Sequence, residues 1–395
     1  MSGTPTERLY LADPWLWTFD ATVVGHAQRR GRAAVVLDRT AFYPEGGGQL
    51  ADRGTLGGAA VVDVQVDDGG TIYHVIDGDP PPLGARVRGE VDGRRRRAHM
   101  ALHTGQHMLS RALVDVAAAP TVSSRLGEGG CTVDVAVSRL ADRDVAAAVE
   151  RVHEVVDADV EVRAWVPPPE ELARLPLRRA PKVARDVRVV AIGDFDVSPC
   201  GGTHCTRTGQ VGVVCVDRVE AYKGMTRIHF DAGPRARDRI ARHALALRAI
   251  GRALSCGPDE VSDAVDRLRA DLADARAALC DLRLRAAAEV AERLIAATPP
   301  PGWVVAVVDG DVAAMRAIAK RIADAGRACA LAVVDGDGMR ILAAAGEGIA
   351  ADCGALIRAV CARAGGRGGG RPAHAEGRLP AIADWPGLVR DVQSH

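Results

Sequence analysis

The hydrophobic residues of roughly the first ninety positions form short runs separated by turn residues, a pattern typical of β-strands. Valine and isoleucine are frequent in the runs that we predict as strands, which are Ala33–Leu37, Ala59–Val66 and Thr71–Ile76. The glycine triplet Gly46–Gly48 lies between the first two. We therefore expect a small β-rich N-terminal domain over residues 1–92.

Residues 93–233 mix helical and strand-like periodicity, which predicts an α+β fold. The apolar residues of Arg94–Val114 recur on nearby faces of one helix, and a second helix is expected at about Ala141–Asp157. The predicted strands of this segment are Cys131–Ala136, Val187–Ile192, Val211–Val216 and Thr226–Phe230. This segment is the candidate for the functional domain, because the chemical motifs described below fall in it.

Residues 234–298 have a helical pattern throughout. A helix is predicted at Arg235–Ser255, and from Val261 to Ala286 apolar residues recur with 4-3 spacing. This heptad seam predicts a long helix that packs against a partner helix. The partner is either Arg235–Ser255 or the same helix of another subunit, so the seam is compatible with a hairpin or a homodimer. A solvated spacer helix is the alternative.

Residues 299–395 are predicted to form a C-terminal α/β domain that begins after a triple proline. The predicted elements are the strand Trp303–Val308, the helix Val312–Ala325, the strands Ala328–Val334 and Arg340–Ala345, and the helix Ala350–Ala364. A glycine-rich segment, Gly365–Pro372, follows the last helix. We expect it to be a structural turn or a segment that wraps an RNA backbone.

The composition of the 395 residues restricts the classes of function that the protein can have. Lysine and arginine together number 51, as do aspartate and glutamate, so a nucleic-acid partner would need local basic patches. The nine cysteines are an odd number without the spacing of a disulfide framework. The N-terminus lacks a signal-peptide pattern, and no apolar run is long enough to span a bilayer. We expect a cytoplasmic protein with no membrane partner.

Two short clusters have the residue types and spacing of a metal site. His103 and His107 lie one helical turn apart, and Cys200 and His204 have the same spacing around a glycine pair. Imidazole and thiolate are ligands that zinc prefers, and four of them form a tetrahedral set. His99 competes for one position and Cys205 for another. The alternative without a metal is a pair of core histidines beside an unrelated buried cysteine.

Basic residues lie next to these clusters in sequence. A run of arginines begins the helix of His103, a second basic stretch precedes Cys200, and two arginines belong to the glycine-rich segment. As phosphate contacts we predict Arg94, Arg95, Arg96, Arg97, Arg179, Lys182, Arg367 and Arg371. The alternative is a solvated charge run in an arginine-rich chain.

The ordered motifs resemble the editing domain of alanyl-tRNA synthetase, whose free-standing versions are the AlaX-type trans-editing proteins. The resemblance rests on Phe42–Gln49 with Asp52 and Gly54, on His103-x3-His107, and on Cys200–His204. It covers roughly residues 20–235. The run Gly368–Pro372 resembles the glycine-rich C-terminal domain shared by that synthetase and the long AlaX form.

This resemblance implies an aminoacyl-tRNA deacylase that acts in trans on mischarged tRNA(Ala). The expected substrates are chiefly Ser-tRNA(Ala) and also Gly-tRNA(Ala). It implies a zinc ion (Zn2+) held by His103, His107, Cys200 and His204, which either organises the pocket or acts as a Lewis acid after losing one ligand. Since the editing pattern begins about forty residues after Met1, we expect deacylation without aminoacylation.

The requirements of ester hydrolysis suggest roles for the residues around the metal. The backbone amides of Gly47 and Gly48 and the side chain of Gln49 are expected to hold the ester carbonyl or the attacking water. Thr104 or Thr203 is expected to contact a seryl hydroxyl, which would disfavour alanine. Replacing Gln49 by Ala is then expected to reduce deacylation and to leave zinc bound. A glycine-rich hairpin turn is the alternative for residues 46–48.

Two other classes of function fit parts of the sequence. A non-catalytic, zinc-stapled RNA-binding protein would bind tRNA without cleaving the ester. A metallohydrolase of a small ester would turn over small aminoacyl esters without tRNA. The long helical seam and the glycine-rich C-terminal domain favour a large RNA substrate.

Overall fold

A computed structural model describes residues 6–181 and 183–394 of the chain. The chain divides into two compact units, Met1–Ala249 and Ile250–His395. Both combine helices and strands, which confirms the predicted α+β class. Lys182 lies outside the described residues.

The first unit begins with a closed β-barrel. Its elements are β1 (Glu7–Arg8), α1 (Leu9–Ala12), β2 (Thr18–Arg29), β3 (Arg32–Leu37), β4 (Arg39–Thr40), β5 (Gly54–Leu56), β6 (Ala59–Val66), β7 (Ile72–Asp77) and β8 (Arg86–Val91). The barrel order is β2-β3-β7-β6-β5-β8, and β1 pairs with β4 outside it. The predicted strands β3, β6 and β7 are confirmed, and their alternating burial places Val35, Leu37 and Val64 in the core.

An α+β part follows the barrel. Its elements are α2 (Gly93–Ala117), β9 (Thr121–Gly127), β10 (Gly130–Val135), α3 (Asp142–Asp157), β11 (Val162–Trp165), α4 (Pro169–Leu172), β12 (Val189–Ile192), β13 (Asp196–Pro199), β14 (Val214–Tyr222), β15 (Met225–Ala232) and α5 (Gly233–Ala253). One sheet has the order β14-β15-β10-β9, and a smaller one has the order β11-β12-β13.

Helix α2 is the central element of this unit, because nearly all of its residues from His99 to Leu113 are buried. It begins at Asp92, whose carboxylate accepts a hydrogen bond from the Arg95 amide at 3.0 Å. Gly105 permits close packing, since a Cβ at that position would lie 2.8 Å from the Ala232 side chain on β15. The same burial brings His103 and His107 into the interior of the unit.

The second unit contains a long helix and a mixed sheet. Its elements are α6 (Val261–Ala296), β16 (Val304–Val307), α7 (Val312–Asp324), β17 (Ala328–Asp335), β18 (Gly338–Ala345), α8 (Cys353–Ala364), β19 (Arg367–Arg371), β20 (His374–Pro380) and α9 (Trp385–Gln393). The sheet order is β16-β17-β18-β20-β19. The predicted long helix is confirmed as α6. Its seam residues Val265, Leu268, Leu272, Leu279 and Leu282 are exposed, so the partner of the seam stays a prediction.

The glycine-rich segment is a β-strand and not a turn, which was one of the two structures expected for it. Residues Arg367–Arg371 pair antiparallel with β20. Glycine is required there by close packing, because a Cβ at Gly368 would lie 2.7 Å from both the Gly377 backbone and the Ile357 side chain of α8. The glycine-rich sequence therefore marks a strand that packs closely against β20 and α8.

Candidate metal centre and adjoining cleft

The two predicted ligand pairs meet in the interior of the first unit. The donor atoms of His103, His107, Cys200 and His204 all lie within 4.8 Å of one another. Helix α2 supplies the first two, and the segment that follows β13 supplies the other two. Gly202 makes the close approach possible, because a Cβ there would lie 2.2 Å from the His103 ring.

The imidazoles are turned so that their Nε2 atoms face the thiol. The Nε2 atoms of His103 and His204 each lie 3.3 Å from Cys200 Sγ. Their Nδ1 atoms face outward, toward other side chains. Three imidazole nitrogens and one sulfur that converge in this way are the donor set of a tetrahedral metal site. The residues of this centre therefore fit a metal ion.

Each outward-facing nitrogen has a buried polar neighbour. His103 Nδ1 lies 2.8 Å from Gln49 Oε1, and His204 Nδ1 lies 3.2 Å from Thr104 Oγ1. His107 Nδ1 lies 3.3 Å from Asp196 Oδ2, at ion-pair distance but without the alignment of a hydrogen bond. Such neighbours fix the tautomer and the ring orientation of a histidine that binds metal.

The electrostatics of Cys200 and His204 favour the forms that bind a metal. Burial of Cys200 opposes ionisation, but the imidazoles of His103, His204 and His107 together hold the pKa of its thiol well below the usual value. Burial lowers the pKa of His204 to about 3, which keeps its ring neutral. The pKa of His107 is raised instead, because burial, which lowers it, is outweighed by the neighbouring Cys200 and Asp196. A thiolate and a neutral imidazole are the states that coordinate metals.

The two competing ligands are not part of this cluster. His99 and Cys205 are buried, but neither belongs to the group of converging donors found among the described residues. The backbone amide of Cys205 donates to Thr104 Oγ1 at 3.1 Å, and burial raises the pKa of the Cys205 thiol to about 12. The thiol is therefore in the form that does not bind metal.

A cleft of about 820 Å³ adjoins the centre. Cys200 and Gly201 line it, as does the glycine turn 46–48. The three histidines of the cluster are almost fully buried and are not among its lining residues. The cleft therefore reaches the metal centre at Cys200.

The glycine turn 46–48 lines this cleft and has backbone amides without an acceptor in the described part of the chain. Gly47 and Gly48 have φ angles of 58° and 89°, a conformation that L side chains rarely adopt. The Gly46 and Gln49 amides are used within the turn, and the Gly48 carbonyl accepts from Leu126 on β9 at 3.0 Å. Over the described residues, the Gly47 and Gly48 amides have no backbone acceptor. They are free to donate to a ligand.

Gln49 and Thr104 are buried beside His103 and His204. Both side chains are almost fully buried and neither lines the cleft. The side-chain oxygen of Gln49 contacts His103 Nδ1, and the side-chain Nε2 of Gln49 donates to Thr203 Oγ1 at 2.7 Å. Thr104 lies behind His204. These contacts orient metal-site histidines, so the expected contacts with a carbonyl and with a seryl hydroxyl are not supported for these two residues.

Among the predicted phosphate contacts that the structure describes, Arg96 is the one that burial excludes. Its side chain is fully buried and forms an ion pair with Asp52, which is also fully buried. Arg96 Nε lies 2.9 Å from Asp52 Oδ2, and its Nη1 donates to the Pro14 carbonyl at 2.9 Å. The prediction was wrong because a run of arginines in sequence does not show which one faces the interior.

The other predicted arginines reach the surface to different extents. Arg94 and Arg97 are exposed, as are Arg367 and Arg371 on β19. Arg95 is half-buried, and its Nη1 lies 2.8 Å from Glu128. Arg179 is exposed and lines the cleft.

Asp196 was not predicted, whereas Arg178 and Arg188 belong to the basic stretch that was expected to hold phosphates. Asp196 lies behind His107, and Arg178 lies behind Asp196. Arg188 lines the cleft and donates from Nη1 to the carbonyls of Cys200 and Gly202, at 3.0 and 2.8 Å. The signal that could have found Asp196 is its position four residues before Cys200, at the start of a short strand.

Comparison with known sequences adds an independent observation. Residues 187–229 match the family model described as threonyl and alanyl tRNA synthetase second additional domain, and residues 17–95 match tRNA synthetases class II (A). The chain is 34% identical over 270 residues to alanyl-tRNA editing protein AlaX-L of Pyrococcus horikoshii, with 66% of each chain covered. The chain belongs to the alanyl-tRNA editing family.

Relatives of this family also include longer proteins. The chain is 38% identical over 297 residues to alanine–tRNA ligase of Pyrobaculum neutrophilum, covering 69% of this chain and 32% of the ligase. It is 32% identical over 386 residues to alanine–tRNA ligase of Halobacterium salinarum, covering 91% of this chain and 41% of the ligase. The chain thus spans about a third to two thirds of the length of these relatives.

Within the described residues, no helix combines the length and the apolar character needed to cross a bilayer.

Proposed function

We propose that this chain hydrolyses the ester bond of mischarged tRNA(Ala) in trans, chiefly that of Ser-tRNA(Ala) and also that of Gly-tRNA(Ala). The observation that carries the proposal is the convergence of three imidazoles and one thiol beside a cleft lined by a glycine turn. Membership of the alanyl-tRNA editing family supports the same reaction.

The metal of this proposal is zinc, held by His103, His107, Cys200 and His204. Three nitrogens and one sulfur within 4.8 Å suit the preferences of Zn2+. When bound, zinc would supply an electrophilic centre that polarises the ester carbonyl or activates a water. Gln49 and Thr104 hold two of the imidazoles in the orientation for binding.

The glycine turn is proposed to stabilise the charge that develops on the ester carbonyl. Hydrolysis of an ester passes through a tetrahedral intermediate with a negative oxygen, and paired backbone amides are a common way to stabilise it. The unused amides of Gly47 and Gly48 supply two such donors at the cleft. They are held there by the positive φ angles of the turn.

The tRNA is proposed to contact basic side chains of both units. Arg179 and Arg188 line it and carry the charge that the terminal phosphates require. Arg94, Arg95 and Arg97 on α2, the sequence-predicted Lys182, and Arg367 and Arg371 on β19 are proposed as contacts along the RNA. Arg96 is excluded, because its guanidinium is fully buried against Asp52.

The experiment that tests the function compares substrates and variants. Zinc-loaded protein and a His103→Ala variant are incubated with Ser-tRNA(Ala), Gly-tRNA(Ala) and Ala-tRNA(Ala), and with seryl methyl ester. We expect loss of serine and glycine with alanine spared, and no activity in the variant. Binding of tRNA without ester cleavage would indicate an RNA-binding protein, and equal turnover of the small ester would indicate a different hydrolase.

A further inference from the structure

We propose that Asp196 and Arg178 act as a positioning pair that holds His107 in the orientation required of a metal ligand. The inference rests on the metal centre proposed above and goes beyond it, because neither residue is one of the four ligands. It also assigns Arg178 a role different from that of its neighbour Arg179.

The proposal rests first on the contact between Asp196 and His107. Asp196 Oδ2 lies 3.3 Å from His107 Nδ1, and both side chains are almost completely buried. A carboxylate in this place favours the tautomer with its proton on Nδ1, so that Nε2 carries the lone pair. Of the three imidazoles, His107 is the one whose outward neighbour is an acid, and the partners of the other two are neutral.

Arg178 neutralises the buried carboxylate of Asp196. A buried charge is costly unless it is paired and hydrogen-bonded. Arg178 Nε donates to Asp196 Oδ1 at 2.6 Å, and Ser198 Oγ donates to Asp196 Oδ2 at 3.0 Å. The Arg178 side chain is only 8% exposed, so its guanidinium is committed to this carboxylate.

Backbone and side-chain contacts connect Asp196 and Arg178 to the cleft. The backbone amide of Arg178 donates to the Val197 carbonyl at 2.8 Å, and Arg179 Nη2 donates to the Pro199 carbonyl at 3.1 Å. Strand β13 therefore places Asp196 behind the metal centre and ends at Pro199, next to Cys200. Arg178 anchors the segment that brings Arg179 to the cleft, so we expect its loss to disturb both metal binding and the cleft.

The test measures zinc affinity of the full chain by competition with a chromogenic chelator. The variants are Asp196→Asn, which keeps the shape of the side chain, Asp196→Ala, Arg178→Ala and the double variant. Asp194→Asn is the matched control, because Asp194 is an exposed acid in the same β12–β13 hairpin. We expect each single variant at 196 or 178 to bind zinc about 10- to 100-fold more weakly, and the control to match the wild type.

Two further readouts make the result decisive. In cobalt-loaded protein, the visible spectrum of Asp196→Asn should show altered coordination while circular dichroism shows a native fold. The double variant should bind zinc no more weakly than Asp196→Ala, because Arg178 acts through the carboxylate. Folded Asp196→Asn with wild-type zinc affinity and spectrum would overturn the proposal, as would fully additive losses in the double variant. Weakened zinc binding in a protein that never cleaves aminoacyl-tRNA would overturn only the proposed function.

Discussion

Gln49 Oε1 accepts a hydrogen bond from His103 Nδ1 at 2.8 Å. This bond joins the glycine turn that enters the cleft to the helix that carries two of the metal-site histidines. The Thr203 amide also approaches Gln49 Oε1, at 3.2 Å, so one side chain connects both ligand segments. The turn and the metal centre are therefore a single hydrogen-bonded assembly.

Because of this bond, Gln49→Ala should weaken zinc binding as well as deacylation, in contrast to the expectation from the sequence. We expect about a tenfold or greater loss of zinc affinity, since a ligand imidazole loses the acceptor that orients it. Gln49→Glu keeps an oxygen toward His103 and should retain most of the affinity. Equal zinc affinity of Gln49→Ala and the wild type, measured by chelator competition, would rule out the orienting role.

Arg96→Ala should destabilise the first unit severely. Removing one member of a buried ion pair leaves the Asp52 carboxylate without its partner, at a cost of about 3–5 kcal/mol. Denaturant unfolding of the full chain measures the effect. The control is Arg97→Ala, whose side chain is exposed and whose loss should change stability by about 0.5 kcal/mol or less. Equal stabilities of the two variants would contradict the burial of Arg96.

Gly368→Ala should destabilise the second unit, whereas Gly369→Ala should leave it nearly unchanged. A Cβ at Gly368 would lie 2.7 Å from Ile357 on α8, while the nearest atom to a Cβ at Gly369 is the Arg358 Cγ atom at 4.0 Å. Overpacking of this kind typically costs about 1–3 kcal/mol. Melting curves of the two variants test the contrast. A lower melting temperature for Gly369→Ala than for Gly368→Ala would contradict the packing of β19 against α8.

The barrel should lose stability as the pH falls below 6.5. Burial lowers the pKa of His74 to about 4, and its Nδ1 donates to the Val35 carbonyl at 3.2 Å, so the folded state keeps the ring neutral. Below pH 6.5 the unfolded chain binds a proton at His74 that the folded chain does not bind. The free energy of unfolding that neutral His74 contributes is therefore complete above pH 6.5 and is lost toward pH 4. The loss is on the order of 3 kcal/mol. Urea unfolding from pH 7 to pH 4.5 should show a shallower pH dependence for His74→Gln than for the wild type; identical slopes would contradict this account.

The sequence predicted the elements whose pattern is local. The heptad seam predicted α6, and the helical periodicity around His103 predicted α2, because an apolar repeat every three to four residues is visible within a few turns of sequence. The four clustered donors were also predictable, since two short-range pairs of ligands point to one metal. The closure of the barrel was not, because it depends on pairing between β2 and β8, which are distant in sequence.

Side-chain partners across the fold were the other missed feature. Gln49 and Thr104 were expected to face the substrate, but their partners His103 and His204 are supplied by distant elements. Arg96 and its neighbours are alike in sequence, and only the position of Asp52 shows which arginine is buried. Asp196 likewise has no local motif that identifies His107 as its neighbour.

The most direct test of the central claim is single-turnover deacylation of Ser-tRNA(Ala) by metal-free protein to which zinc is returned in steps. We expect no activity after removal of the metal, and recovery that reaches its maximum at one zinc per chain. Ala-tRNA(Ala) should remain intact at every step. Full activity in metal-free, folded protein would contradict the account of the centre formed by His103, His107, Cys200 and His204.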